Sequence, residues 1–200
     1  MNQRPDNPQS VSVDYLCGLD AMAPGTWLAG KKLDGWRRTA DNTSGKWVYG
    51  AKHTTGPAAK QMPEELVREF ESLPWPKGIA LDMEWMGPRV VAAVEEHSLN
   101  VFDLLMLNGE WLGNVGFQDR YAILRGLMRI DCCGSGMNVK IIPVRRNPGL
   151  TDFFLEQKTD PLSEGIVVRH KDSTLVGSFS KCATGDRFFK VKYRNNKEML

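Results

Sequence analysis

Turn signals cut this chain into short apolar runs, and its helical stretches do not alternate with them one for one. From residue 36 the pattern reads as a strand, a turn at Asp41-Asn42-Thr43-Ser44-Gly45, and a second strand over residues 46–52, which together make a hairpin. Residues 99–107 form another apolar run, turned back by Asn108-Gly109. A strand starting at residues 27–29 delivers Lys32, and further strands are predicted over residues 78–85, 139–144, 166–169 and 188–193. Residues 63–73 predict an amphipathic helix. Pro63, Glu64 and Glu65 suit its first turn, Leu66, Phe70 and Leu73 recur on one face, and Pro74 ends it. A longer helix is predicted over residues 117–130, with Tyr121, Leu124, Leu127 and Met128 along one stripe. Residues 13–22 read as a short helix or an irregular covering segment, and shorter helices are expected over residues 89–97 and 150–157. Hairpins mixed with isolated helices, without a strict βαβ alternation, point to an α+β domain built on largely antiparallel sheets.

The totals fit that reading. Two hundred residues suit one domain, here residues 13–200, preceded by a flexible tail over residues 1–12. A formal net charge of +2 argues against a histone-like polycation but leaves room for a local basic groove. No apolar run reaches the length of a membrane span, and the polar N-terminus lacks the apolar core of a signal peptide, so a cytoplasmic protein is expected. Cys17, Cys132, Cys133 and Cys182 show no metal-type spacing and read as reduced thiols.

The stretch with the most chemistry is Lys32-Leu33-Asp34-Gly35, followed by Arg37. In an extended segment, residues i and i+2 share a face, so Lys32 and Asp34 are expected together, with Arg37 on that same face. A lysine becomes a covalent nucleophile when desolvation or neighbouring cations strip its proton. Four other patterns follow in order: Asp82-Met83-Glu84, Phe102-Asp103, Glu164-Gly165 and Lys190-Val191-Lys192. Each alone has a plain structural account, as a solvated strand acid, a core aromatic or a charged sheet edge. Together they supply what attack on a nucleotide α-phosphate requires. That chemistry needs a nucleophile, cations for the phosphates, carboxylates for a divalent metal and a flat face for the base.

The ordered series KLDGWR, LDMEWM, VFDLLMLNG, SEGIVVR and FFKVK resembles the nucleotidyltransferase motifs of the ATP-dependent DNA ligase family. The superfamily also holds RNA ligases and mRNA capping enzymes. The resemblance runs from about Trp27 to about Lys192 and implies an adenylation-domain fold with ATP and Mg2+ or Mn2+ as cofactors. It implies that Lys32 carries AMP, that Asp34 orients Lys32, and that Arg37 and Glu84 hold the ribose. Arg37 would later hold the nick phosphate. Phe102 would stack on adenine, Lys190 and Lys192 would grip the α-phosphate, and Asp34, Glu84 and Glu164 would serve the metal.

Some positions depart from the family pattern. Gly30 stands where many DNA ligases have a glutamate, Met83 stands where glycine is common, and Arg169 replaces a frequent lysine. Lys52 with Gly56 is the nearest match to the family's arginine-glycine motif. The chain ends eight residues after Lys192, without the OB-fold domain that usually follows, which implies a minimal or truncated ligase. The expected partner is nicked duplex DNA, bound by a monomer with a helper DNA-binding subunit in place of that domain. Arg37, Arg38, Lys52 and Lys60 are candidates for backbone contacts. An RNA ligase or capping-type guanylyltransferase is the alternative enzyme, and a non-catalytic nucleic-acid-binding relic is the alternative outside enzymes.

Overall fold

The computed structural model describes residues 7–51, 61–87, 97–128, 138–175, 177–178, 181–182 and 184–193. The chain opens with strand β1 (Asn7–Ser10), helix α1 (Val13–Asp20), β2 (Trp27–Leu33), β3 (Trp36–Asp41) and β4 (Val48–Ala51). Helix α2 (Glu64–Ser72), β5 (Ala80–Met86), β6 (Ser98–Leu107), β7 (Glu110–Trp111) and α3 (Phe117–Met128) follow. The remainder is β8 (Val139–Ile141), β9 (Val144–Arg146), α4 (Leu150–Gln157), β10 (Ser163–His170), β11 (Gly177–Ser178), β12 (Lys181–Cys182) and β13 (Thr184–Lys192).

Two main sheets result, with mostly antiparallel pairing. The first runs β1-β13-β10-β2-β9, and the second runs β4-β3-β5-β6-β7 with β8 added beside β6. Strands β11 and β12 form a separate pair. Helix α2 lays Leu66 and Phe70 on the second sheet, where they join Leu81, Met83, Leu99, Val101 and Leu104 in the larger core. Fully burying side chains of this size stabilises the fold by roughly 1.5–3 kcal/mol each. The first sheet packs Ala29, Ile166, Val168, Phe189 and Val191 against Leu16 and Leu19 of α1 and Phe153 and Phe154 of α4. Ser12 caps α1 by accepting from the Tyr15 N–H at 3.2 Å. At its other end Asp20 accepts from the Gly149, Leu150 and Thr151 N–H groups, so α1 caps the start of α4.

Two local expectations change, and a third falls outside the described residues. Residues 7–10, inside the stretch read as a tail, pair in parallel with β13. The single strand expected over residues 139–144 is two strands, split at Ile142-Pro143. Proline cannot donate to a ladder, and here the chain changes sheets: β8 pairs with β6, whereas β9 pairs with β2. Residue 97 is described, but the rest of the helix expected over residues 89–97 lies outside the described residues.

Candidate active site

Lys32 sits near the end of β2, and β10 lies between β2 and β13. Gly165 of β10 is registered with Lys32 on one side and with Lys192 on the other. Its neighbour Glu164 uses that position. One carboxylate oxygen is ion-paired with the Lys32 ammonium, and the other lies 2.5 Å from Lys192 Nζ. Burial alone would raise the Glu164 carboxyl, but hydrogen bonds from Lys192 and Lys32 hold it below the usual glutamate range.

Simple alternation would not deliver that carboxylate. Ile166 and Val168 face the α1–α4 core, so Glu164 should face it too. The β10–β2 register slips between Ser163 and Gly165, and Gly165 adopts φ 139°. This bulge turns Glu164 to the lysine side. A side chain at Gly165 would run into the Val191 carbonyl, so only glycine fits.

A second bulge shapes the other sheet. Asp82 is registered with Asp103 but Met83 with Val101, which leaves Phe102 as the extra residue. Phe102 and Asp103 therefore both leave the large core. Phe102 is half-buried against the cluster of Leu33, Met86 and Ile142. Asp103 is 0% exposed.

Strand β2 ends at Leu33 and β3 starts at Trp36 in the other sheet, so Arg37 does not share a strand face with Lys32 as expected. Asp34 lies in the link, exposed, with its N–H donating to the Leu162 carbonyl at 3.3 Å. Arg37 instead stands opposite Glu84. Its guanidinium donates to Asp82, with Nε 2.9 Å from Oδ1, and lies 5.6 Å from the centroid of the Phe102 ring. Burial pushes the Glu84 carboxyl up to about 7, against the opposing pull of Lys32 and Arg37, and the Gly35 N–H donates to it. Gly35 permits this approach because a Cβ there would lie 2.6 Å from Glu84 Cγ.

Lys190 lies two residues before Lys192 on β13, opposite Val167. Arg38 is 8% exposed with its guanidinium 5.3 Å from the Trp85 ring centroid, which corrects its reading as a DNA-backbone contact. On β3 it alternates with Arg37 and shares the side of Ala40, which belongs to the large core. Lys52 and Lys60 lie outside the described residues. Among the described residues, no three His, Cys, Asp or Glu side chains are grouped to hold a metal ion, so Asp34, Glu84 and Glu164 do not form a ready-made cage. Nor, among them, is any helix long and apolar enough to cross a membrane.

Sequence reasoning missed a buried ion cluster behind this site. Asp103 accepts from Arg120 Nε at 2.9 Å and from a second Arg120 nitrogen at 3.0 Å, and it also pairs with Arg169. Burial would raise the Asp103 carboxyl, but the two guanidinium groups hold it below its ordinary value. Arg120 also donates to the Val115 and Ser173 carbonyls. The Arg169 guanidinium lies 4.0 Å from the Phe188 ring centroid and 4.6 Å from that of Phe117. A planar cation pairs with carboxylate and rings together, which a lysine ammonium could not match, so arginine at 169 is no simple swap. The signal available beforehand was an aspartate within an apolar strand and an arginine on the apolar stripe of α3.

No protein-family model matches the sequence, and no curated protein matches it either. Solved structures do. The ligase domain of LigD from M. tuberculosis superposes with a TM-score of 0.68 at 18% identity, over 96% of this chain and 59% of that one. The ATP-dependent DNA ligase of bacteriophage T7, solved in complex with ATP, gives 0.64 at 14% identity, over 96% and 69%. An RNA ligase of Naegleria gruberi, solved with ATP and Mn, gives 0.56 at 15% identity, over 98% and 58%. The chain thus has the α+β nucleotidyltransferase fold of ligase domains, and it spans about three fifths of the length of the first of these. The described residues contain no OB-fold domain.

Proposed function

We propose that this chain is the catalytic domain of an ATP-dependent polynucleotide ligase acting on nicked DNA, with Lys32 as its nucleophile. The observation that carries the reading is the bridge in which Glu164 holds Lys32 and Lys192 across three adjacent strands. It rests on a fold shared with ATP-dependent ligases.

The Lys32 nitrogen attacks the α-phosphorus of ATP, a nitrogen–phosphorus bond forms, and the bond to pyrophosphate breaks. The amine must first leave the Glu164 carboxylate and shed its proton. Lys192 and Lys190 then neutralise the phosphate oxygens, and such positioned charge does most of the catalytic work in phosphoryl and nucleotidyl transfer. Phe102 offers a ring for the base without selecting its sequence. Glu84 and Arg37, opposite each other on β5 and β3, suit the ribose. A divalent cation, when bound, supplies further charge neutralisation at the phosphates. Asp34 is exposed, Glu164 is half-buried and Glu84 feels the Lys32 charge, so these carboxylates fit an ion that keeps most of its waters. AMP passes from Lys32 to a 5′-phosphate, and a 3′-hydroxyl displaces it to close the strand.

The test is capture of labelled AMP by the wild type but not by Lys32→Ala, followed by a chase with nicked DNA or nicked RNA. Label taken from GTP alone would favour a capping-type enzyme, and a chase on RNA alone would favour an RNA ligase. Salt-dependent binding to a nick without any label would make the chain a relic.

A further inference from the structure

The functional side chains are divided between two sheets. Lys32, Glu164 and Lys192 stand on the first, and Arg37, Glu84 and Phe102 on the second. A nucleotide that touches both halves is aligned only if the distance between them is fixed. Among the ion pairs of the described residues, Arg169–Asp103 joins one sheet directly to the other. Its two members belong to the strands that carry the site. Asp103 follows Phe102 on β6, and Arg169 lies on β10 with Glu164. The pair is braced from both ends. Arg120 of α3 holds the second side of the Asp103 carboxylate, while the Phe117 and Phe188 rings hold the Arg169 plane. Asp103, Arg120 and Arg169 are 0%, 1% and 6% exposed, so water cannot substitute for a lost partner.

We propose that Asp103 and Arg169 are positioning residues, a buried clamp that sets the spacing between the Phe102 half of the site and the Lys32 half. Neither touches the nucleotide. They act by holding β6 against β10, so that a base seated on Phe102 brings its α-phosphate in line with Lys32. The inference rests on the nucleotidyl-transfer reading above.

The experiment measures the single-turnover rate of labelled-AMP transfer onto Lys32 at saturating ATP, together with the ATP Kd and the thermal midpoint. It compares the wild type, Arg169→Lys, Phe102→Ala and the double variant, with Asp103→Asn run through the same cycle. Misalignment by a fraction of an ångström to an ångström costs roughly tenfold to a hundredfold in rate. Arg169→Lys is therefore expected to slow transfer by that factor with a nearly unchanged Kd. Once Phe102→Ala has removed the platform, the same substitution has little left to misalign, and the two penalties overlap instead of multiplying. Penalties that multiply in full overturn the clamp, as does a loss of folding in both Arg169→Lys and Asp103→Asn, which would make the pair purely structural. If the wild type takes no AMP, the nucleotidyl-transfer reading itself fails. Wild-type capture with multiplying penalties removes only the clamp.

Discussion

Two ion clusters are anchored on strand β10, one at Glu164 and one at Arg169, each with a carboxylate between two cations, and they are built to opposite ends. In the cluster around Glu164, Lys192 keeps 45% of its side chain in solvent. In the cluster around Asp103, every member is buried and the aspartate is bonded from three guanidinium nitrogens. A partly solvated ion pair contributes little to stability and exchanges partners readily, whereas a buried one is costly to break. The first cluster can release its lysines to another anion. The second cannot release anything without damage to the fold. On the proposed function, the difference separates groups that react from groups that hold.

The largest test of that contrast is Asp103→Ala. It strands two buried guanidinium groups and is expected to cost roughly 3–5 kcal/mol in denaturant unfolding. A loss below about 1 kcal/mol would show that the buried cluster is as replaceable as the open one.

Glu84 sharpens the comparison through pH. Its folded pKa is raised from 4.5 to about 7, so its contribution to stability is full below 4.5 and is lost as pH rises through about 7. A shift of that size corresponds to roughly 3 kcal/mol. Glu84→Gln is expected to flatten the decline in stability between pH 5 and 8, and an unchanged slope would contradict the burial that raises the carboxyl.

Gly165→Ala attacks the bulge that serves the open cluster. A positive φ and a collision with Val191 predict a loss of roughly 2 kcal/mol, together with loss of AMP capture as Glu164 turns away. Glu164→Gln is the smallest in stability, with less than about 1 kcal/mol expected, yet it should impair AMP capture. A large drop in its thermal midpoint would erase the distinction between the clusters.

Much of the architecture was legible because it is local. Leu66, Phe70 and Leu73 announce α2, and Asn108-Gly109 announces the turn that closes β6, with Asn108 at φ 53° and Gly109 at φ 80°. Glu164, Lys32 and Lys192 were each singled out by their motifs, but their pairing with one another was not anticipated. Two bulges, at Gly165 and Phe102, break the alternation on which a face is judged from sequence. The passage of the chain between sheets after Leu33 moved Arg37 away from Lys32 for a similar reason, since nothing in KLDGWR says where one sheet stops. Asp103 sits within an apolar strand, and Arg120, which the sequence reading passed over, sits on the apolar stripe of α3. Their partnership spans 17 residues, and no periodicity reports on that separation.

Strand β2 carries two lysines in succession, and they look in opposite directions. Lys31 is tied to Asp160, while Lys32 is tied to Glu164. A slip of the strand by a single residue would exchange them and put Lys31 where Lys32 meets Glu164. On the proposed function, the choice of nucleophile is therefore written in the ladder itself, in the hydrogen bonds that β9 and β10 make to β2 from both flanks.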